Sequence, residues 1–256
     1  MMSTLPPVPP DWLVKIATSA IKSVPDISQR LVSRLQGKLI PLDFAVFGYA
    51  GTGKTTLLNR MQYGVPTSPD PTTKMEELDE FEVYVIGRGN QRIKGIYDVT
   101  GRPQEAGASS QDDYQWPDWE KVFLGQTPRG IIFLVDHLNT DKSKIALRYV
   151  IDMIEQADEP ESNWLLRTIF GRRRWKARKN LKVFFLLVNK LDLWPRGLTM
   201  GEILKDYTKE IEDINEMMRR NKGRFYMDEI SALTGTNFER VLQNFMLGLL
   251  AVSVKR

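Results

Sequence analysis

The sequence predicts an α/β fold: a mostly parallel six-stranded sheet with one antiparallel edge hairpin strand, and helices on both faces. Three features point to it. Gly130-Ile-Ile-Phe-Leu-Val-Asp136 and Val183-Phe-Phe-Leu-Leu-Val188 are near-continuous apolar runs, as expected of parallel strands buried on both faces. Strand patterns alternate with helix patterns along the chain, which parallel crossovers require. A glycine-rich stretch joins the first strand to the first helix. With 256 residues, one large domain with additions can bury a real core.

Residues 1–40 form an N-terminal helical extension. Residues 1–10 are Pro-rich and read as extended or disordered; Asp11 can cap a helix carrying Trp12, Leu13, Ile16, Ala17, Ala20 and Ile21 on one face. Pro25 breaks it, Asp26 opens a second segment with Ile27, Leu31 and Leu35 in line, and Gly37 ends that one. This pair packs on the core or docks on a partner or membrane surface.

The main domain, 41–256, opens with the strand Phe44–Phe47 and a helix beginning at Thr55. Tyr63–Glu77 is polar, with prolines at 66, 69 and 71, and reads as a loop. Glu80–Gly87 is a strand, turned by Gly89-Asn90, and Arg92–Asp98 returns as its partner. Gly101–Arg129 is long and irregular, as functional loops often are. Trp116 and Trp119 within it are aromatic anchors for a partner or internal packing. Lys142–Ala157 is a helix with Ile145, Tyr149, Met153 and Ile154 or their neighbours inward. Met200–Arg220 is another, Phe225–Ile230 is the last strand, and Asn237–Val252 closes the chain.

Cysteine is absent, which excludes disulfides and thiol chemistry. No apolar run is long enough to span a bilayer, the start lacks a secretory pattern, and Met2 stands where myristoylation needs glycine. The expectation is a cytoplasmic protein, with peripheral membrane contact as an alternative. The net charge is +4, but it is concentrated in a basic insert, 158–181. Arg167, Arg172, Arg173, Arg174, Lys176, Arg178, Lys179 and the adjoining Lys182 lie in a stretch with no acidic residue between Glu161 and Asp192. Trp164, Leu165, Ile169, Phe170 and Trp175 interleave them, which favours an anionic membrane surface or a protein partner at 164–182 over nucleic acid.

The glycine-rich stretch is Gly48-Tyr-Ala-Gly-Thr-Gly-Lys54-Thr55. Strand before, helix after, and Gly-x-x-x-x-Gly-Lys-Thr between is the phosphate-binding loop in its required context, and predicts a P-loop NTPase fold. Backbone N–H groups of Gly51, Thr52, Gly53, Lys54 and Thr55 would converge on phosphate oxygens at a helix N-terminus, with Gly48, Ala50 and Thr56 beside them. Lys54 would stabilise phosphate charge, and Thr55 would place its hydroxyl on Mg²⁺. Asp98-Val-Thr-Gly101 follows a strand: the Asp98 carboxylate can order the Mg²⁺ shell and the Gly101 N–H can meet a γ-phosphate oxygen. Pro71-Thr72-Thr73 lies in the loop that would fold over that phosphate, with Thr72 the first choice as a metal ligand and Thr73 the alternative.

Asn189-Lys190-Leu191-Asp192 selects the base. The Asp192 carboxylate can accept in plane from guanine's N1–H and exocyclic amine, whereas adenine would face it with a lone pair. Asn189 would support the N7 side and the Lys190 stem would cover the base. Ser231-Ala232-Leu233 ends the last strand, and its Ala232 N–H could approach the guanine O6.

This ordered set resembles the Ras-like small GTPases over roughly residues 42–252. Arg129-Gly-Ile-Ile-Phe-Leu-Val-Asp136, Leu187-Val-Asn-Lys-Leu-Asp-Leu193 and Thr234-Gly-Thr-Asn-Phe-Glu-Arg look most like the Arf branch and the signal-recognition-particle receptor β subunit. The resemblance implies a GTP/GDP switch with Mg²⁺ in a GTPase domain, 41–256, whose second switch region, 101–128, is enlarged. It implies mobile loops that meet effector and regulator proteins, and leaves the oligomeric state open. A non-hydrolysing GTP-binding receptor subunit is the alternative. The chain departs from the family where glutamine usually follows the Asp-x-x-Gly motif: Arg102 stands there, then Pro103, with Gln104 late. Gln104 could orient water through a bulged loop, Arg102 could stabilise charge, or hydrolysis could be very slow without a partner. The catalytic set is thus Lys54, Thr72 and Gln104. His137, the only histidine, lacks the companions of a metal site.

Overall fold

The structure, a computed structural model, describes residues 42–66, 76–78, 81–85, 89–98, 104–105, 114–115, 119, 122–123, 128–156 and 181–253. The expected helical pair, Thr72, Thr73, Gly101, Arg102, Trp116 and the basic insert through residue 180 lie outside the described residues. The elements run β1 (Leu42–Gly48), α1 (Lys54–Tyr63), β2 (Glu76–Leu78), β3 (Phe81–Val85), β4 (Gly89–Asp98), β5 (Gln104–Glu105), β6 (Tyr114–Gln115), β7 (Gly130–Val135), α2 (Thr140–Gln156), β8 (Val183–Val188), α3 (Met200–Leu204), α4 (Thr208–Arg220), β9 (Arg224–Glu229) and α5 (Phe238–Ser253).

The architecture is α/β with a parallel sheet. The strand order is β2-β4-β1-β7-β8-β9, and β3 also pairs with β4. Strands β4, β1, β7, β8 and β9 run parallel to their neighbours. Among the described residues of this sheet, only the edge is antiparallel: β2 pairs with Ile96–Asp98 and β3 with Gly89–Ile93 of β4. The edge is therefore divided, and among the described residues the sheet has seven strands, against the six the sequence predicts. Gly89 and Asn90, read as the hairpin turn, belong to β4.

Residues alternate between the two faces of the sheet, as the two-residue period of a strand dictates. Ala45, Phe47, Ile131, Phe133, Val135, Phe184, Leu186 and Val188 join a cluster with Leu147, Val150 and Ile151 of α2 and Ile214, Met217 and Met218 of α4. Phe44, Val46, Ile132, Leu134, Val183, Phe185 and Leu187 face Leu57, Leu58 and Met61 of α1 and Val241, Phe245 and Leu249 of α5. The inward stripe of α2 includes Ala146, Leu147, Val150, Ile151 and Ile154. Ile145, expected to face in, is 38% exposed, because the apolar stripe sits about one residue later than the sequence suggests.

One further expectation is corrected and one open choice is decided. Met200–Arg220 is not one helix. A capping box starts α3, with Glu202 N donating to Thr199 Oγ1 at 3.3 Å and Thr199 N to Glu202 Oε2 at 2.9 Å. A 3-10 turn, Lys205–Tyr207, then interrupts. There the Thr208 hydroxyl donates to Lys205 O at 2.7 Å, offering that carbonyl a local alternative to the helical ladder. The turn buries Tyr207 completely, its hydroxyl donating to Thr140 O at 3.1 Å. Trp119 is internal packing: it is fully buried, with its ring centroid 5.2 Å from Phe47, 6.4 Å from Phe133 and 6.3 Å from Tyr149.

Candidate functional site

Parallel pairing brings the strand ends to one edge. Gly48 lies beside Leu134, Leu134 beside Leu187, and Leu187 beside Asp228. Loops that begin at Tyr49, Asp136, Asn189 and Ile230 leave this edge together, where open α/β sheets form their crevice.

The glycine loop departs first. A Cβ on Gly48 (φ 151°) would stand 2.6 Å from Leu134 O and 2.7 Å from Thr52 Oγ1, so β7 and the loop close in where the side chain is missing. Gly53 (φ 93°) precedes α1, and a Cβ there would fall 2.4 Å from Asn189 Nδ2. Gly51 (φ 78°) differs: its added Cβ would meet nothing within 4 Å, so the crest of the loop opens outward. Within the loop the Tyr49 carbonyl accepts from Thr52 N at 3.3 Å, Thr52 Oγ1 at 2.9 Å and Lys54 Nζ at 3.2 Å. Lys54 is only 6% exposed, so its ammonium arches back over the loop at a helix N-terminus. A buried cation beside that positive helix end is suited to an anion. Ala50, Thr55 and Thr56 are half-buried around it.

Asn189 joins the two halves of the edge. It is 2% exposed; its Nδ2 donates to Thr52 O at 2.7 Å and its Oδ1 accepts from Ala232 N at 2.9 Å. Exchanging the amide's oxygen and nitrogen would set oxygen against carbonyl and N–H against N–H, so these partners fix its orientation. The carboxamide therefore staples the glycine loop to the loop after β9. The Ala232 N–H, expected to face a base, is committed to Asn189 instead.

Lys190 takes a left-handed conformation (φ 63°) and starts the 3-10 turn Leu191–Leu193. Leu191 N donates to Ile230 O at 3.1 Å, and Asp192 emerges into solvent. Its Oδ1 accepts from the Ser231 hydroxyl, which accepts in turn from Thr234 N at 3.0 Å. Ser231 thus orients the exposed carboxylate, and Leu233 lies open beside it at 59% exposure. Asp98 ends β4 in register with Val46, one strand from the glycine loop. Gln104 lies in β5, paired with Gln115 in a separate two-stranded sheet. Among the described residues no group of three or more His, Cys, Asp or Glu gathers to hold a metal, and no helix is long and apolar enough to cross a membrane.

Two participants escaped the sequence reading. Asp136, fully buried, accepts at Oδ1 from Leu138 N at 3.1 Å and Asn139 N at 2.9 Å. Its Oδ2 lies 2.6 Å from Lys190 Nζ, an ion pair too oblique to count as a hydrogen bond. The available signal was positional: Asp136 follows Val135 as Asn189 follows Val188, and those two strand residues are in register. Arg60 of α1 donates through Nε to Ala232 O at 2.6 Å and through Nη2 to Leu233 O. No sequence pattern announces a partner that far along the chain. At the opposite end of the strands, burial pushes the Asp43 carboxyl up to about 6, despite Arg129 Nε at 3.6 Å.

No protein-family model matches the chain, and no curated protein matches it.

Proposed function

We propose that this chain is a guanine-nucleotide switch of P-loop NTPase fold that binds GTP or GDP with Mg²⁺ and hydrolyses GTP to GDP, slowly without a partner. The Asn189 staple carries the reading: it holds the glycine loop and the Asp192–Ser231 pair on one edge, as a ligand with phosphates at one end and a base at the other requires. The parallel order with its antiparallel edge supports the fold assignment, and the likeness of the motifs to Ras-like GTPases supports the chemistry.

In this reading the N–H groups of Gly51–Thr55 and the Lys54 ammonium bind the phosphates, and the open crest at Gly51 leaves them room. The oxygen donors fit a hard divalent cation: the Thr55 hydroxyl, with Thr72 and Asp98, would hold Mg²⁺. When bound, Mg²⁺ neutralises charge on the phosphate oxygens. Gly101 meets the terminal phosphate, and Gln104 orients water. Asp192, held by Ser231, accepts from the guanine N1–H and amine, and Lys190, tied to Asp136, lies against the base. The loops around 63–77 and 101–128 receive effectors and regulators. The insert at 164–182 receives an anionic surface or a protein, consistent with a cytoplasmic or peripheral location. Arg102 in the place of glutamine favours one second reading: a non-hydrolysing GTP-binding subunit that docks through the insert. Single-turnover hydrolysis with and without a binding partner separates the two.

Calorimetric titration of GTP into wild type and Asp192→Asn tests the base assignment. Loss of charge-assisted hydrogen bonds should weaken binding about a hundredfold. Unchanged affinity, or displacement of GTP by equimolar ATP, overturns the guanine reading.

A further inference from the structure

We infer that Arg60 is a positioning residue for base recognition: by holding the carbonyls of Ala232 and Leu233 it aims the Leu233 N–H at a base carbonyl oxygen. The inference rests on the guanine reading and deepens it. Arg60 sits on α1, the helix that begins at Lys54, so the element supporting the phosphate end also grips the base end. Its Nε lies 2.6 Å from Ala232 O, and its Nη2 reaches Leu233 O. Its guanidinium carbon stands 5.8 Å from the Phe238 ring centroid, a stacked placement that suits arginine. The loop is shaped around this group. Gly235 has φ 85°, and a Cβ there would stand 2.8 Å from Arg60 Nη1.

Peptide geometry does the aiming. In a trans peptide the C=O and the next N–H point opposite ways, and the chain has no cis peptide bond among the described residues. With Leu233 O turned toward Arg60, the Thr234 N–H points back to Ser231 Oγ, where it bonds at 3.0 Å. With Ala232 O turned toward Arg60, the Leu233 N–H must point away from α1. Among the described residues that N–H has no hydrogen-bond partner, whereas the Ala232 N–H is spent on Asn189. The Leu233 N–H is thus the donor beside Asp192 that remains for a carbonyl such as guanine O6.

The test compares wild type, Arg60→Ala and Arg60→Lys by equilibrium binding of GDP, ADP, 6-thioguanosine diphosphate (guanine with its O6 replaced by sulfur, a weaker acceptor, and its N1–H and amine kept) and tripolyphosphate. Wild type should prefer GDP over the 6-thio nucleotide about fivefold or more, the scale of one neutral hydrogen bond. Arg60→Ala should close that gap while keeping wild-type affinity for tripolyphosphate. Arg60→Lys, which keeps the charge without the fork, should retain part of it. Equal loss on all four ligands makes Arg60 a support of α1 and overturns the inference, as does an unchanged gap. If Arg60→Ala does not fold, Arg60→Lys and Arg60→Gln decide by the same ratio. Wild type that binds GDP no better than ADP overturns the guanine reading. Wild type that selects GDP over ADP but not over the 6-thio nucleotide overturns the Leu233 assignment alone.

Discussion

Replacing Asn189 by alanine should expose how much the fold depends on the staple. Asn189 is 2% exposed, and its carboxamide satisfies Thr52 O and Ala232 N at 2.7 and 2.9 Å. Alanine leaves both backbone groups without that partner, and each orphaned group costs about 1–3 kcal/mol. The sum, about 2–6 kcal/mol, is a large part of an ordinary domain's stability. It corresponds to a fall of roughly 4–24 °C in melting temperature for a chain of this size. Asn189→Asp sharpens the test. The carboxylate can still accept from Ala232, but its second oxygen faces the Thr52 carbonyl in a buried site, which raises the folded-state pKa. Only the protonated acid can donate to Thr52 O. Stability of this variant is therefore fully present below the unfolded pKa and lost as pH rises through the folded one. Circular-dichroism melts at pH 5 and pH 8 should bring Asn189→Asp nearer to wild type at pH 5. A melt of Asn189→Ala within 2 °C of wild type, or an Asn189→Asp deficit that does not vary with pH, refutes the staple.

Gly53→Ala should destabilise more than Gly51→Ala. Both carry a left-handed strain of about 1–2 kcal/mol, but only at Gly53 does the added Cβ fall 2.4 Å from Asn189 Nδ2; equal losses in urea titration refute that clash. Asp43, raised by burial to about 6, makes its stability contribution below the unfolded pKa and loses it as pH rises through about 6. The loss is about 3 kcal/mol, the equivalent of a roughly hundredfold difference in proton affinity between the folded and unfolded chain. Asp43→Asn should remove this slope from stability measured between pH 4 and pH 6.5, and a wild-type-minus-variant difference that stays flat counts against it. Trp119→Ala should cost about 3–5 kcal/mol by denaturant titration, as for a large aromatic removed from a core. A cost below about 1 kcal/mol would place Trp119 outside the core cluster.

Local pattern made much of this protein legible. The runs Ile131–Val135 and Val183–Val188 are buried throughout, because strands covered on both faces cannot hide polar residues. Gly48, Gly51 and Gly53 announced a loop that needs positive φ, and all three have it. Helix phase was less legible: Ile145 and Leu147 are equally apolar on paper, and packing chose Leu147. The break at Lys205–Tyr207 was hidden because Thr208 and Tyr207 are unremarkable helix residues until their hydroxyls find Lys205 O and Thr140 O. Trp119 could be assigned to neither interface nor core from its neighbours, since burial depends on strands far away in sequence.

The sequence by itself determined the alternation of the main parallel strands with helices, the glycine loop between the first of each, and the polar groups Asn189, Asp192 and Ser231 at later strand ends. Each of these is written in spacing and residue type within a short window. Only the tertiary structure decided who serves whom among them. It assigned the Ala232 N–H to Asn189, tied Lys190 to the buried Asp136, and brought Arg60 from α1 to the carbonyls of Ala232 and Leu233. Those pairings follow from parallel register, which carries distant loops to one edge of the sheet. A chain read residue by residue holds the donors and acceptors but not the distances between them.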